Sequence, residues 1–460
     1  MVEPALRPLN IALTHYRVGE TDGVSLEMDK WRRVLENMGH KVFYIAGSKG
    51  TCSEDVCVID EYEYRYWLDL QIERNAYQAF AEYKDEDELK DAIISASKIL
   101  EPKISKFITD NKIDIIVPNN VFAIGRSLPT ALAFHNVIES HSLKTICHHH
   151  DFFFERDKFK NPTCPYITSL LSTIYPPSSP LYTHCVINHP AQKSLHSKRS
   201  LPSTVVPNVF DFKAPLWSAD SYNSPIRSTL GLSEHDIFIL QGTRVVDRKG
   251  IELTIDVIAE LNKPENRSKL SGTLYNGKEF TEESNLVLVL VGMIESTTKY
   301  DERLSAYAAK LNVKLLWKNE WIEHSRCRKE CGDVYSLWDA YVFADLVSYP
   351  SIYEGWGNQF LEALFAKKPM IVFEYSVFVS DIKEKGFKYA SLGQEYVVGE
   401  DGLAKVEGKY VKSAAESCIM YLKDKEMRDK HVEENFQIGA KYFSLEGLEE
   451  ILKTVFPPAE

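Results

Sequence analysis

Twice along the 460 residues, short apolar runs alternate with stretches of helical periodicity, and a polar break separates the two series. Parallel strands need a crossover between them, usually a helix, so this alternation points to α/β structure with parallel sheets. LNIALTHY reads as the first strand, RVGETDG as a glycine-containing loop and VSLEMDKWRRVLENMGH as a helix. In that helix Val24, Met28, Trp31, Leu35 and Met38 share one face, and Glu27, Arg32, Arg33 and Glu36 lie away from it. KVFYIAG, IDIIVPNN and LKTICHHHD supply further strands, and the segment from Tyr62 to Leu100 reads as helical. Pro, Ser and Asn then accumulate between Ala191 and Asp236, marking a linker and domain boundary. DIFILQGTR, LVLVLVGM, KLLWKN, LVSYPS and KPMIVFEY form the second strand series, and the polar stretch Glu265 to Asn285 reads as a surface insertion.

Composition excludes several function classes. A net charge of −12 argues against non-specific binding to nucleic acid or an anionic membrane. No run reaches the roughly 18 apolar residues of a membrane span, and the N-terminus lacks the layout of a signal peptide. The eight cysteines are scattered, as expected for buried thiols of a cytoplasmic protein. His324, Cys327 and Cys331 match no zinc spacing.

Three motifs carry chemistry. In PSIYEGWGNQFLEALFAKKP, seven residues separate Glu354 from Glu362. A strand end precedes Gly355-Trp356-Gly357, and a helix starts at about Asn358, so bare backbone N–H groups face outward at a helix N-terminus. Such a turn suits a diphosphate or sugar hydroxyls; Glu362 could accept hydrogen bonds from a ribose diol and Glu354 from a sugar. In GTRVVDRKGIELTIDVI, Arg244 ends a strand and Lys249 precedes a helix, a pair able to clamp a leaving diphosphate. In CHHHDFFFERD, His149, His150 and Asp151 sit at a strand's C-terminal end, where α/β folds bind ligands. Successive strand residues point to opposite faces, which disfavours three adjacent histidines on one metal.

These strings resemble the signature of the retaining GT-B glycosyltransferases, in their large E-x7-E family (family 4 type). The resemblance implies that Glu354 contacts the donor sugar and Glu362 the nucleotide ribose. It also implies that Gly355, Trp356, Gly357 and Asn358 cradle the donor and that Arg244 and Lys249 hold its diphosphate. His150 and Asp151 match a His-Asp pair near the transferred sugar; Gly23 in GETDGVSLE resembles the first glycine loop, without its usual double glycine. VPNVFD resembles the hinge segment, and Asp345 matches a common aspartate. TDGVSLEMDKW and HHHDFFFER are similar to sequences assigned to mannosylglucosylglycerate-type synthesis.

The expected fold is therefore α/β of the GT-B kind, with two Rossmann-like doubly wound domains facing a central cleft. Residues 1–205 would bind the acceptor, 206–440 the nucleotide sugar, and 441–460 form a helix returning to the first domain. The expected activity is transfer of a hexose, glucose or mannose, from a nucleoside-diphosphate sugar (GDP-mannose or UDP-glucose) with retention of anomeric configuration and without an essential metal. His150, Asp151 and Glu354 are the expected catalytic residues. Arg17, Thr21, Asp22, Asn120, His149 and Arg156 are the candidate acceptor contacts. With Arg126, the arginines among these suggest a small, polar, anionic acceptor. The rival readings are a nucleotide-sugar 2-epimerase, which would lack the E-x7-E string, and a catalytically silent sugar-nucleotide-binding protein.

Overall fold

The computed structural model describes residues 7–20, 22–52, 54–295, 298–323, 325–329 and 332–456, so Thr21, His324 and Cys331 lie outside the described residues. The chain divides into two compact units, Met1–Val209 with Leu445–Glu460 and Phe210–Ser444. These junctions fall a few residues beyond the 205/206 and 440/441 boundaries expected from the sequence.

In the first unit, strands β1 (Asn10–His15), β2 (Lys41–Ala46), β3 (Val56–Val58), β4 (Ile115–Pro118), β5 (Lys144–His149), β6 (Tyr182–Val186) and β7 (Thr204–Val205) form one sheet in the order β3-β2-β1-β4-β5-β6-β7. Every pairing in it is parallel. Reversal of strand order on either side of β1 is the doubly wound arrangement, and β1 is correspondingly buried along its length. Helix α1 (Gly23–Asn37) begins where Asp22 accepts hydrogen bonds from the Val24 and Ser25 amides. Its Met28, Trp31, Val34 and Leu35 are buried, as the helical spacing requires. Glu27 is buried too, against its expected place on the polar face. Lys30 pairs with its carboxylate and the Val209 amide donates to it, which offsets the cost of burial.

The segment read as helical from Tyr62 to Leu100 holds two helices, α2 (Trp67–Tyr77) and α3 (Glu86–Asp110). The Asn75 amide oxygen accepts from the Ala81 and Glu82 amides and stabilises the intervening loop, and Asp85 caps α3 through the Glu88 amide. Helix α4 (Leu128–His141) follows β4. The C-terminal helix Leu445–Val455 belongs to the first unit, where Leu448 and Leu452 are buried with Trp31 and Val34 of α1.

The second unit repeats the scheme. Strands β8 (Ile237–Gln241), β9 (Leu286–Leu290), β10 (Lys314–Trp317), β11 (Leu346–Tyr349), β12 (Met370–Val372) and β13 (Ala390–Ser391) pair in the order β10-β9-β8-β11-β12-β13, again all parallel. Helix α5 (Ile251–Leu261) follows β8, and α6 (Asn358–Phe365) follows β11. The polar stretch after α5 folds as a short helix, Pro264–Leu270, and a two-stranded hairpin. Asp345 immediately precedes β11, at the strand end opposite the glycine turn. It accepts from the Phe238 amide (2.7 Å) and the Tyr275 hydroxyl (2.8 Å), a structural place.

Several histidines are built into the first unit's interior. Strand alternation sends His148 against Trp31, ring centres 4.4 Å apart, and His149 to the other side. There His149 Nε2 lies 3.0 Å from His184 Nδ1, and His184 Nε2 donates to the Pro177 carbonyl. Burial pushes His184 down to about 4 and His148 and His149 well below their ordinary range. Unfolded histidines titrate near 6.5. Between those values the unfolded chain binds more protons than the folded one. The stability these groups contribute is therefore full above pH ~6.5 and lost as pH falls toward 4, at about 1.4 kcal/mol per pH unit for each titrating histidine. Carboxyls that burial raises act in the opposite sense, Asp69 to about 8 and Glu27, Asp29, Glu155, Glu252 and Asp256 less far, but these six face eight histidines that burial lowers. Urea unfolding should accordingly show a midpoint that drops steadily between pH 6.5 and 4.5; a midpoint constant over that interval would contradict neutral, buried histidines.

Candidate active site

Because β8 and β11 are neighbours, paired Ile239 to Leu346 and Leu240 to Val347, the loops leaving their C-terminal ends lie side by side. Gly250 ends the first loop with φ +57°, and a Cβ there would stand 2.6 Å from the Pro350 carbonyl oxygen of the second. The Ile352 amide donates to the Arg248 carbonyl across the same contact, at 2.9 Å. Glu354 is thereby delivered to two cations. Lys249 Nζ donates to its Oε1, and Arg248 Nη1 donates to its Oε2 at 2.6 Å. Lys249 and Glu354 are both buried. Burial alone would raise the Glu354 carboxyl, but Lys249 and Arg248 outweigh it and hold it below the ordinary carboxylate range. Burial, offset by Glu354, leaves the Lys249 ammonium below its ordinary value.

After Glu354 the chain turns through Gly355, Trp356 and Gly357 into α6. Gly357 takes φ +121°, and a Cβ there would meet the Tyr349 hydroxyl at 2.0 Å, so the turn admits only glycine. The Tyr375 hydroxyl donates to the Trp356 carbonyl and pins the turn from below. The Trp356 side chain is buried, its ring centre 5.2 Å from that of Phe443, so the indole belongs to the core and only its backbone is placed in the turn. Asn358 opens α6. One turn on, Glu362 is half-buried and accepts from the Tyr341 hydroxyl at 2.9 Å. Arg244 stands at the edge of the group: its Nη1 pairs with Glu295 at 2.7 Å and its side chain is half-exposed, but its charge still acts on Lys249. Arg248 takes a place beside Glu354 that sequence reasoning assigns to no residue. The one signal for it is a second cation next to Lys249 in DRKG.

In the first unit the ends of β1, β4 and β5 carry the corresponding polar groups. Asn119 and Asn120 organise them. The Asn119 carbonyl binds His15 Nδ1 (2.8 Å), and its side-chain oxygen lies 3.0 Å from His148 Nδ1 and 3.4 Å from His150 Nε2. The Asn120 side-chain oxygen accepts from the backbone amides of His150 (2.7 Å) and Asp151 (3.2 Å). Asn120, expected as an acceptor contact, is buried and braces the His150-Asp151 turn instead. His149 is a second correction, since strand alternation turns it inward to His184. Cys147, His149 and His184 are, among the described residues, the group whose ligand atoms lie closest to a metal-binding arrangement, within 4.8 Å of one another. The His149–His184–Pro177 hydrogen-bond chain already accounts for both facing nitrogens.

Burial lowers His15 to about 4 and, with His15 beside it, His150 to about 3, so both rings are neutral at pH 7. Asp22 is close enough to oppose both shifts. Arg17 pairs with Asp22 at 3.2 Å, and Arg156 pairs with Asp151 at 2.7 Å. Gly23, exposed, is the first residue of α1. Among the described residues, no helix is long and apolar enough to cross a membrane.

Residues 224–437 match the family described as Glycosyl transferases group 1. The chain is 39% identical over 426 residues to the mannosylglucosylglycerate synthase of Petrotoga mobilis, covering 90% of this chain and 94% of that one. It is 39% identical over 445 residues to the mannosylglucosylglycerate synthase of Thermotoga maritima, covering 96% and 99%. In fold it is similar to a glycosyltransferase from Rickettsia africae, with a TM-score of 0.61 at 13% identity over 97% of this chain and 99% of that one. With two doubly wound parallel sheets and an E-x7-E turn at the end of β11, the chain belongs to the group 1 glycosyltransferases of the GT-B fold.

Proposed function

We propose that the protein transfers a mannosyl group from a nucleoside-diphosphate donor, GDP-mannose, to a glycerate-ended acceptor, glucosylglycerate, with retention of anomeric configuration. The observation that carries this reading is the anchored Glu354 carboxylate, held by Lys249 and Arg248 beside the glycine turn that opens α6. The names of the two relatives supply the sugar and the acceptor, because a single transfer that completes a mannosylglucosylglycerate adds the mannosyl group to glucosylglycerate.

In this reading the bond between mannose C1 and the β-phosphate oxygen breaks, and negative charge grows on the leaving diphosphate. Lys249 and the N–H groups at the start of α6 meet that charge, with Arg248 and Arg244 flanking them, and they bind the transition state more tightly than the ground state. The acceptor hydroxyl attacks C1 from the face the leaving group vacates. Its proton passes to the departing phosphate oxygen, so no protein nucleophile is required. Glu354 accepts hydrogen bonds from the mannose hydroxyls and Glu362 from the ribose. In the first unit, His150 stays neutral at pH 7 beside Asp151. With the diphosphate met by fixed cations, a divalent metal is not needed. The free thiols among the described residues and the net charge of −12 support work in the cytoplasm.

Acceptor-dependent nucleotide release tests this directly. With GDP-mannose and glucosylglycerate, GDP should appear in step with a product of α configuration, in EDTA as in Mg²⁺. Conversion of the donor sugar without GDP release would instead favour an epimerase, and neither event a silent binding protein.

The two glutamates should separate. Glu362→Ala should weaken binding of GDP itself, whereas Glu354→Gln should leave GDP affinity nearly intact and lower kcat. A hydrogen bond to a charged group is worth about 1.5–3 kcal/mol, so each affected quantity should change by roughly ten- to a hundredfold. Calorimetric titration with GDP beside steady-state kinetics decides; equal losses of GDP affinity in both variants would contradict the assignment.

A further inference from the structure

Three arginines of the first unit converge on one phenol. The guanidinium carbons of Arg126, Arg17 and Arg65 lie 4.6, 5.2 and 5.2 Å from the centre of the Tyr64 ring. They come from separate places in the chain: Arg17 follows β1, Tyr64 and Arg65 precede α2, and Arg126 lies between β4 and α4. Arg17 and Arg126 thus lie in the loops that leave the C-terminal ends of the neighbouring parallel strands β1 and β4, the side where α/β sheets take their ligands. The scaffold under them is rigid. Tyr16 and Tyr175 hydroxyls both donate to the Arg126 carbonyl, at 3.0 and 3.3 Å, and Arg17 Nη1 donates to the Tyr64 hydroxyl at 2.9 Å.

The charges in this group do not balance internally. Asp22 takes one arm of Arg17, and Glu73 is shared between Arg126 and Lys158. Glu63 accepts from the backbone amide of Arg65 rather than from its guanidinium. Among the described residues, no carboxylate lies within ion-pair distance of the Arg65 side chain, which is exposed. Cation–ring attraction is weak where water has access, so it does not by itself explain gathering three like charges around one ring. An oxyanion does, because each guanidinium offers a planar fork matched to a carboxylate. Arg156, the other arginine of these strand-end loops, is already engaged by Asp151. Asp22, partner of Arg17, also acts on His15 and His150, which links the cluster to the His150 turn.

We propose that Arg17, Arg65 and Arg126, arranged around Tyr64, form the site that binds the carboxylate of the acceptor. The proposal rests on the acceptor reading above and adds to it the residues that select an acid over a neutral glycoside.

The test compares glucosylglycerate with glucosylglycerol, in which a hydroxymethyl group replaces the carboxylate, using GDP-mannose as donor. Arg65→Gln removes an exposed side chain and should fold normally; Tyr64→Leu removes the platform. In both variants KM for glucosylglycerate should rise about tenfold or more. KM for glucosylglycerol and for GDP-mannose should stay within about twofold, so that the preference for the acid collapses. A merely structural role would move both acceptors together, and that result, or an unchanged KM for the acid in Arg65→Gln, overturns the site. Wild-type enzyme separates the two claims. If it turns over glucosylglycerate while the variants keep full preference for the acid, only the carboxylate site falls. If wild type uses glucosylglycerol as well as or better than the acid, the anionic-acceptor reading falls and the site with it.

Discussion

Glu354 ties together two loops that would otherwise be independent. Its two oxygens are divided between Lys249 and Arg248, so the end of β8 and the end of β11 share one charge network. Burying an ammonium and a carboxylate costs several kcal/mol per ion, and the pair is tolerated only where geometry and further hydrogen bonds offset that cost. Here the compensation is visible in the surroundings. Gly250 lets the first loop press against the Pro350 carbonyl, the Ile352 amide reaches the Arg248 carbonyl, and Arg248 also donates to the Tyr353 carbonyl. The glycine turn begins at the residue after Glu354. That turn opens α6, with Asn358 at its start and Glu362 one turn later, and Gly357 and the Tyr375 hydroxyl hold it in turn.

The first unit solves a similar problem with neutral groups. Two adjacent asparagines at the end of β4 hold the end of β5: Asn119 serves the rings of His148 and His150, and Asn120 serves the backbone of His150 and Asp151. The histidines remain uncharged because they are buried, which makes them fixed dipoles and hydrogen-bonding surfaces rather than cations. Positive charge is placed farther out, on Arg17, Arg65 and Arg126 around Tyr64. The division is physically sensible in an acidic protein: cations are concentrated where an anion would be recognised, and neutral polar groups lie beside the His150 turn.

Periodicity alone makes much of this legible in the chain. The strand–helix alternation implies both parallel sheets, and Glu354, Gly357 and Lys249 stand out because a strand end, a glycine pair and a helix start fall in one short string. What is not legible depends on contacts across the chain. Arg248 cannot be distinguished from a solvated neighbour of Lys249 until the β11 loop is placed against it. Trp356, inside the signature, turns into the core because Phe443, far along the chain, offers it a face. Asn120 and His149 occupy the right strand ends but point to brace and core, and alternation along β5 is the one clue to His149. The break between α2 and α3 hides in a stretch of good helix formers because a single side chain, Asn75, holds it open.

The central claim is that the pair Lys249–Glu354 organises these loops as a coupled unit. A double-mutant cycle on unfolding free energy, with Lys249→Met, Glu354→Gln and both together, measures that coupling without reference to any substrate. Each single variant leaves a buried charge short of a partner and should destabilise the protein by about 3 kcal/mol or more. The double variant should lose clearly less than the sum, with a coupling of at least ~1 kcal/mol. Single effects that add to within ~0.5 kcal/mol would show that the two side chains merely lie near each other, and would contradict the account.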